Sequence, residues 1–402
     1  MSGLETVQGW FDAGRLIRPS ADELNFTYLV RALLGLCGAE TADDGGGAGE
    51  LRGMIGQAEH YVFVLVDGLG DNLLRRLLPG DGFLRAHQAG RLQAVYLSTT
   101  ATALTTLATA RWPCAHGVPG WWTYLPGPDV SAVTLPFEER TSGRSLGQFG
   151  VSAADLFPTP SVWPGLKHQP LSVLPAKIVG TTYSTYAGGG TASVGYADLT
   201  EAVARVCSAV REARRPSLTY LYLPQLDALQ HKKGTGHAEV GALLAVLEGH
   251  LARLCEVLAG KARVVITADH GQINAPRRRW FTLPADDTLG GLLRCRPTGE
   301  PSVPIFHVRP GMAEAFLAEF TGRFGENFAL LTPDEVERLR LLGPGKLSEA
   351  MRRRLGTFVG ISQEPAKFYI RPADPGAANI GVHGGLSSDE MHVPLVLASR
   401  TR

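Results

Sequence analysis

The chain has 402 residues, of which 44% are hydrophobic and 19% charged, and its formal net charge is +1. Charges of both signs are interspersed, which argues against a nucleic-acid polymer as a partner. The five cysteines form no C-x-x-C pair, which argues against a disulfide framework and a thiolate zinc site. With 48 glycines and 26 prolines, the composition favours an α/β enzyme with long functional loops over a helical bundle.

The first 60 residues are predicted to form a leader with one amphipathic helix, around 28–37. A Gly-rich loop follows at 41–50. The N-terminus lacks a basic region followed by an apolar stretch, and the chain lacks a run of about 18 apolar residues. These features predict a cytoplasmic protein that does not interact with a membrane, and they leave the oligomeric state open.

Short apolar runs, taken in chain order, predict the buried parallel strands of a central sheet. The runs are 61–66, 92–97, 218–223, 263–267 and 393–398, with 177–182 as a weaker candidate. Helical periodicity at 202–214 and 238–259 lies between them, and Gly260 is a suitable C-cap for the second helix. Strands that alternate with helices predict an α/β fold with a doubly wound, mostly parallel sheet.

Residues 275–375 have a different pattern, in which short strands and helices follow each other before the chain returns to the main sheet at 393. This pattern predicts an inserted α+β cap subdomain over the site. The predicted division is therefore an N-terminal leader and helix (1–60), a catalytic domain in two segments (61–274 and 376–402) and the inserted cap (275–375).

Carboxylates, hydroxyls and imidazoles come directly after the predicted strands, or just before the last one. Ligands bind at the carboxyl ends of the strands in a doubly wound sheet, so these side chains are expected to meet at one edge. Each is weak evidence alone, because an Asp after a strand usually caps a helix or forms a turn. Their convergence is enough to hold two divalent cations. The converging residues are Asp67, Asp227, His231, Asp269 and His270, with a hydroxyl from Ser98, Thr99 or Thr100 and a histidine from His383 or His392.

The proposed ligand set contains both carboxylates and imidazoles. Such a mixture suits zinc, with manganese or iron as alternatives, and does not suit calcium. Two cations a few Å apart neutralise phosphoryl oxygens and hold the attacking and leaving oxygens in line. The sequence therefore predicts a metal-dependent hydrolase of small phosphate esters.

Five short motifs in the same order resemble the type I phosphodiesterase / nucleotide pyrophosphatase family of the alkaline phosphatase superfamily. The resemblance extends from about residue 60 to 400 and implies an alkaline phosphatase-like fold and phosphodiesterase activity. The motifs are DGLG (67–70), STTATALTTLATARWPCAHGVPGW (98–121), LDALQH (226–231), ADHG (268–271) and HGG (383–385).

The resemblance also implies roles for single residues. One zinc ion would be bound by Asp227, His231 and His383. The other would be bound by Asp67, Asp269 and His270, and the nucleophile would contact it. The stretch TLATARWPCAHG (106–117) places that nucleophile at Thr100, with Thr99 as the main rival.

The chain departs from the family at Ala103, where the nucleotide phosphodiesterases have an Asn that supports the phosphoryl oxygen. This difference leaves a phosphomonoesterase, a phosphonate hydrolase or a non-catalytic phosphate-binding protein as alternatives. The aromatic side chains of Trp121, Trp122 and Tyr124 are candidates for a stacking platform that binds a ring of the substrate. Packing between the catalytic domain and the cap is an equal alternative for them.

Overall fold

The computed structural model describes residues 2–40, 46–372, 374 and 376–398. In chain order the strands are β1 (His60–Val66), β2 (Gln88–Gln93), β3 (Trp122–Leu125), β4 (Val130–Val133), β5 (Glu138–Glu139), β6 (Gln169–Pro175), β7 (Ala192–Tyr196), β8 (Ser217–Leu223), β9 (Arg263–Thr267), β10 (Ile273–Asn274), β11 (Trp280–Leu283), β12 (Thr298–Glu300), β13 (Val303–Phe306), β14 (Phe328–Leu331), β15 (Phe358–Ser362), β16 (Lys367–Ile370), β17 (Gly381–Val382) and β18 (His392–Ala398).

The helices connect these strands, and no described helix is both long and apolar enough to cross a lipid bilayer. In chain order they are α1 (Gly3–Asp12), α2 (Phe26–Leu36), α3 (Gly47–Ile55), α4 (Asp71–Leu77), α5 (Phe83–Ala86), α6 (Thr100–Thr109), α7 (Pro113–His116), α8 (Ala153–Leu156), α9 (Thr182–Ala187), α10 (Leu199–Glu212), α11 (Gln225–Lys233), α12 (Ala238–Val257), α13 (Thr288–Gly291), α14 (Ala313–Phe324), α15 (Pro333–Arg338), α16 (Glu349–Arg354) and α17 (Ser388–Met391).

The central sheet has seven strands in the order β2-β18-β9-β1-β8-β6-β7. Strands β9, β1, β8, β6 and β7 are parallel, whereas β18 is antiparallel to both of its neighbours. Strands β8 and β9 are buried along their whole length and β1 along nearly all of it, because helices cover both faces of a parallel sheet. The predicted α/β fold with a mostly parallel sheet is confirmed.

Three details of the predicted sheet are wrong. The run at 393–398 forms a strand, but an antiparallel one. Of the run at 92–97, only Leu92 and Gln93 belong to a strand, at the end of β2, and residues 94–97 are buried outside the strands. The run at 177–182 forms a short turn before α9, because β6 occupies the place beside β8.

A second seven-stranded sheet has the order β14-β15-β13-β12-β3-β4-β5, and all of its pairs are antiparallel. The predicted cap segment supplies β12 to β15, while β3 to β5 come from earlier in the chain. The predicted cap segment also contains the helices α14 and α15. Edge-on and stacked aromatic packing stabilises this part of the molecule through a cluster of Phe306, Phe316, Phe320, Phe324, Phe328 and Phe368.

The first 60 residues form three helices rather than the single one predicted. The predicted helix is α2, whose side chains are mostly buried, and it packs against α3 and α6. Helix α1 packs against β14 of the second sheet. Within the predicted Gly-rich loop, residues 41–45 lie outside the described residues, and residues 47–50 form the start of α3.

Candidate metal centre and active site

Three neighbouring strands of the central sheet end in carboxylates at the same edge. Asp67 follows β1, Asp269 follows β9, and Asp227 lies in the first turn of α11, which begins just after β8. Strand β1 lies between the other two and is parallel to both, so their carboxyl ends coincide. The antiparallel direction of β18 brings the segment before it, which contains His383, to this same edge.

The first cluster consists of Asp67, Asp269 and His270, all of them buried. His270 Nε2 lies 3.6 Å from Asp67 Oδ1 and 3.5 Å from Asp269 Oδ2. These atoms are close enough together to be bound to a single cation, and their residue types match the carboxylate and imidazole preference of zinc.

The second cluster consists of Asp227, His231 and His383. Asp227 and His231 are one helical turn apart on α11, which places both side chains on the same face. His231 Nε2 lies 3.3 Å from Asp227 Oδ2, and His383 Nε2 lies 3.9 Å from Asp227 Oδ1. The two clusters adjoin, because the rings of His270 and His383 stack with their centroids 3.9 Å apart.

All three imidazoles are oriented in the same way by the backbone. The Nδ1 atoms of His231, His270 and His383 lie 2.8, 3.0 and 3.2 Å from the carbonyl oxygens of Gly381, Gly271 and Ser98 respectively. A carbonyl only accepts hydrogen bonds, so each Nδ1 carries the proton and each Nε2 has a free lone pair. Metal-binding histidines are usually held in this arrangement.

Each carboxylate of the first cluster has one oxygen bound to the protein and the other without a partner. Asp67 Oδ2 accepts a hydrogen bond from Tyr222 Oη, and Asp269 Oδ1 accepts one from the N–H of Gly68 at 3.2 Å. Asp67 Oδ1 and Asp269 Oδ2 are buried and have no hydrogen-bond partner among the described residues. Buried carboxylate oxygens without partners are costly, so this donor set fits a bound cation.

The charges of the two clusters act on one another. Burial raises the pKa of Asp67 well above its ordinary value, and the neighbouring carboxylates of Asp269 and Asp227 raise it further. Burial also lowers the pKa of His383 well below its ordinary range, with contributions from His270 and His231. His383 is therefore neutral at pH 7, as a metal ligand must be, and cations would offset the repulsion among the carboxylates.

The two threonines proposed as nucleophile have different surroundings. Thr100 is the first residue of α6, and its Oγ1 lies 3.2 Å from His270 Nε2, next to the first cluster. Thr99 is the N-cap residue, and its buried Oγ1 donates to Glu300 Oε1 at 2.5 Å. The hydroxyl that is in contact with the clusters is therefore that of Thr100.

Glu300 is a residue at the site that the sequence did not indicate. It ends β12 of the second sheet, and the surrounding TGEP stretch has no strand-end pattern that would relate it to the other residues. Burial raises its pKa to about 7. Tyr222 was also missed, because it lies within an apolar run that predicted only a buried strand; its position at the carboxyl end of that run was the one available signal.

A cavity of ≈ 540 Å³ adjoins the clusters and is lined in part by Asp67, Thr100 and Asp227. Most of its remaining wall is apolar or aromatic. Lys177 is the sole basic residue among the described residues that line it. The apolar wall includes Leu104, Leu107, Trp163, Leu174, Tyr183 and Tyr220.

Of the three aromatic residues predicted to contact a substrate, only Trp121 lines this cavity. Trp122 is buried between Arg140, whose guanidinium lies 3.8 Å from the ring centroid, and Tyr369. Tyr124 is buried against His307. Trp122 and Tyr124 therefore stabilise the second sheet by packing, rather than form a stacking platform in this cavity. His116 is buried and has a structural role, since it accepts a hydrogen bond from the N–H of Val118.

The order of these residues along the chain matches a known family. Residues 61–385 match the family model described as type I phosphodiesterase / nucleotide pyrophosphatase. The chain belongs to this family. Its members are phosphoester hydrolases that depend on metals, which agrees with the two clusters. No curated protein sequence matches the chain significantly.

Solved structures that share less than a fifth of their residues with this chain have the same fold. Human ectonucleotide pyrophosphatase / phosphodiesterase 5 has a TM-score of 0.64 at 17% identity, over 84% of this chain and 87% of its own. The inactive murine protein in complex with AMP has a TM-score of 0.62 at 17% identity, over 83% and 87%. Phosphonoacetate hydrolase from Sinorhizobium meliloti 1021, in complex with phosphonoformate, has a TM-score of 0.60 at 18% identity, over 84% and 89%.

Proposed function

We propose that this protein is a phosphodiesterase that uses two divalent cations, most suitably zinc, and Thr100 as its nucleophile. The observation that carries this proposal is the pair of adjoining Asp/His clusters with a threonine hydroxyl at their edge. The substrate would be a small phosphate ester. The cytoplasmic location remains a prediction from the sequence.

The residues of the chain have distinct roles in this reaction. Asp67, Asp269 and His270 would hold one cation, and the second cluster would hold the other. The cations supply positive charge that neutralises the phosphoryl oxygens and lowers the pKa of a hydroxyl beside them. Thr100 Oγ attacks phosphorus as the ester P–O bond breaks. The hydroxyl proton passes to solvent, and the leaving oxygen takes up a proton to become an alcohol.

Water then attacks the phosphothreonine, so that the second P–O bond breaks and Thr100 regains its hydroxyl proton. The start of α6 favours this chemistry, because its first-turn N–H groups carry partial positive charge. The side chain of Thr99 does not cap them. These amides take the part that an Asn side chain at Ala103 would have in the family's nucleotide phosphodiesterases.

The cavity supports an ester with an apolar or aromatic substituent. Leu104, Leu107 and Trp163 offer no hydrogen bonds that would orient a strongly polar group, whereas they gain from burial of an apolar one. AMP, the ligand of the murine relative, carries an aromatic base, which is a substituent of this kind.

Phosphonate hydrolysis is the second candidate, because phosphonoacetate hydrolase has the same fold. Phosphonoacetate carries a carboxylate in addition to its phosphonate. An additional anion needs a cationic partner, and Lys177 is the one basic residue among the described residues of the cavity wall. This wall favours uncharged substituents and hence the diester.

The proposal is tested with zinc-loaded protein and three chromogenic or coupled substrates. These are bis(p-nitrophenyl) phosphate, p-nitrophenyl phosphate and phosphonoacetate. We expect the highest kcat/KM with the diester. Thr100→Ala should abolish hydrolysis and retain close to two equivalents of zinc, because the six Asp and His ligands remain.

The results separate the possibilities. Preference for phosphonoacetate would favour the second candidate. Full activity of Thr100→Ala would show that Thr100 is not the nucleophile, and Thr99→Ala would then be measured. Protein that binds two equivalents of zinc but hydrolyses none of the three substrates would contradict an enzymatic role.

A further inference from the structure

Glu300 is a buried carboxylate that reaches the active site from outside the central sheet. It is the last residue of β12, which pairs with β3 through Gly299 and Trp122. It is 5% exposed and does not belong to either metal-binding cluster. Because a buried charge is unfavourable without partners, the contacts of this side chain indicate its purpose.

Glu300 accepts two hydrogen bonds from described residues, and each comes from a segment that borders the site. Glu300 Oε1 accepts one from Thr99 Oγ1 at 2.5 Å and another from the N–H of Trp121 at 2.9 Å. Thr99 directly precedes the proposed nucleophile, and Trp121 lines the cavity. One oxygen atom thus connects the start of α6 with the wall of the substrate cavity.

The bond to Thr99 also changes how α6 begins. A threonine at an N-cap ordinarily accepts a hydrogen bond from the second or third N–H of its helix. Thr99 has the extended backbone of an N-cap residue, with φ −141° and ψ 149°, but its side chain forms no capping hydrogen bond. Its hydroxyl is bound to Glu300 instead, so it does not compete for the first-turn N–H groups.

The turn after Glu300 supports the other side of the site. Ser302 Oγ donates to the carbonyl oxygen of His383. Gly384 has φ +114°, and a Cβ atom there would lie 2.8 Å from Glu300 Cγ. The backbone of the turn at His383 therefore packs directly against the side chain of Glu300, and only glycine fits at position 384.

We propose that Glu300 is a positioning residue for the nucleophile: it binds the hydroxyl of Thr99 and thereby fixes the backbone that presents Thr100 and the first-turn amides of α6 to the phosphoryl group. This inference rests on the proposed function. Glu300 acts through Thr99 and does not touch the reacting atoms. Loss of the bond removes this restraint, so the backbone that presents Thr100 and the first-turn amides is free to shift.

The test compares four variants of the zinc-loaded protein on the best diester: Glu300→Ala, Glu300→Gln, Thr99→Val and the double variant Glu300→Ala/Thr99→Val. We expect Glu300→Ala to lower kcat by about 10- to 100-fold, since small displacements of a nucleophile cost this much. KM and zinc content should stay unchanged. Glu300→Gln retains an acceptor oxygen, so its kcat should remain within about threefold of the wild type.

The double variant isolates the route through Thr99. If Glu300 acts through this hydroxyl, Thr99→Val lowers kcat on its own, and the double variant is no worse than Glu300→Ala to within about twofold. The matched control is Thr123→Val, which removes a buried hydroxyl that pairs with Thr134 Oγ1 at 3.0 Å in the second sheet. Its kcat should equal that of the wild type.

A readout without turnover accompanies the kinetics. The dissociation constant of inorganic phosphate, measured by calorimetry on the zinc-loaded protein, should rise in Glu300→Ala and Thr99→Val but not in Thr123→Val. If Glu300→Ala does not fold, as judged by its melting temperature, Thr99→Val and Glu300→Gln provide the same comparison.

Several results would overturn the inference. They are an unchanged kcat in both Glu300→Ala and Thr99→Val, a loss confined to Glu300→Ala, or loss of zinc in place of loss of kcat. In each of these cases the wild type remains an active phosphodiesterase, so the proposed function stands. A wild type that binds zinc and hydrolyses no ester overturns the proposed function, and this inference with it.

Discussion

Tyr222 is hydrogen-bonded to the first Asp/His cluster, and its removal should selectively weaken the metal site proposed there. Tyr222 Oη donates to Asp67 Oδ2, and both side chains are buried. In Tyr222→Phe this oxygen of the carboxylate has no donor, and the carboxylate is no longer oriented. A hydrogen bond to a charged group contributes about 1.5–3 kcal/mol, which corresponds to roughly 10- to 100-fold in metal affinity.

Tyr222→Phe should also favour the protonated form of Asp67, which weakens metal binding as well. Burial is the main cause of the raised pKa of Asp67, and the bond from Tyr222 acts in the opposite direction. Without this bond the pKa rises further, so a cation competes with a more tightly bound proton at pH 7. We therefore expect the affinity loss of Tyr222→Phe to become larger as the pH is lowered.

The assay is a zinc titration of metal-free protein against a chromogenic chelator, which resolves two sites. Only the site formed by Asp67, Asp269 and His270 should weaken. Tyr220→Phe is the matched control, because Tyr220 lies on the same strand, also lines the cavity, and forms no hydrogen bond to these carboxylates among the described residues. Unchanged zinc affinity in Tyr222→Phe, or equal weakening of both sites, would refute the reasoning.

Two further predictions concern stability. Chelation of the metals should lower the melting temperature, because Asp67 Oδ1 and Asp269 Oδ2 are left without partners. Free zinc at 1,000 times its Kd should restore about 4 kcal/mol for each site, and equal melting curves in zinc and in chelator would contradict a metal centre. Burial, together with the nearby Arg354, lowers the pKa of His116 to about 3. Below pH 6.5 the unfolded chain therefore takes up a proton that the folded protein does not. The free energy of unfolding consequently decreases as the pH is lowered. Between pH 6.5 and 4, the free energy of unfolding measured in urea should decrease less steeply for His116→Gln than for the wild type, by up to about 1.4 kcal/mol per pH unit. Identical slopes in the two proteins would contradict this assignment.

The apolar runs predicted most of the fold because burial and strand pairing coincide in a parallel sheet. Strands β1, β8 and β9 are covered on both faces, so their unbroken apolar sequence was a sufficient signal. The run at 92–97 misled because residues 94–97 are buried without being part of a strand, while Leu92 and Gln93 end β2. The run at 177–182 misled because β6 (QPLSVLP), with a proline at either end, has a weaker strand signal than its neighbour.

The amino-acid sequence by itself determined the family and the residues that converge in the two Asp/His clusters. The six predicted Asp and His ligands come directly after the strands β1, β8 and β9 or lie before β18, where the direction of each strand decides which edge they reach. Their convergence in two clusters follows from topology, which the alternation of strands and helices already implied. Order and spacing along the chain were therefore sufficient for this part of the site.

Only the tertiary structure decided which residues surround those ligands. Glu300 meets Thr99 across 201 positions of the sequence, and Tyr222 meets Asp67 across 155. Trp122 and Tyr124 are placed in the second sheet, whereas their neighbour Trp121 reaches the cavity. The contact of Glu300 with Thr99 depends on how the second sheet packs against the central one, and that of Tyr222 with Asp67 depends on the pairing of β8 with β1. No local periodicity records that packing, because a side chain that supports the site obeys the same burial pattern as one that only fills the core.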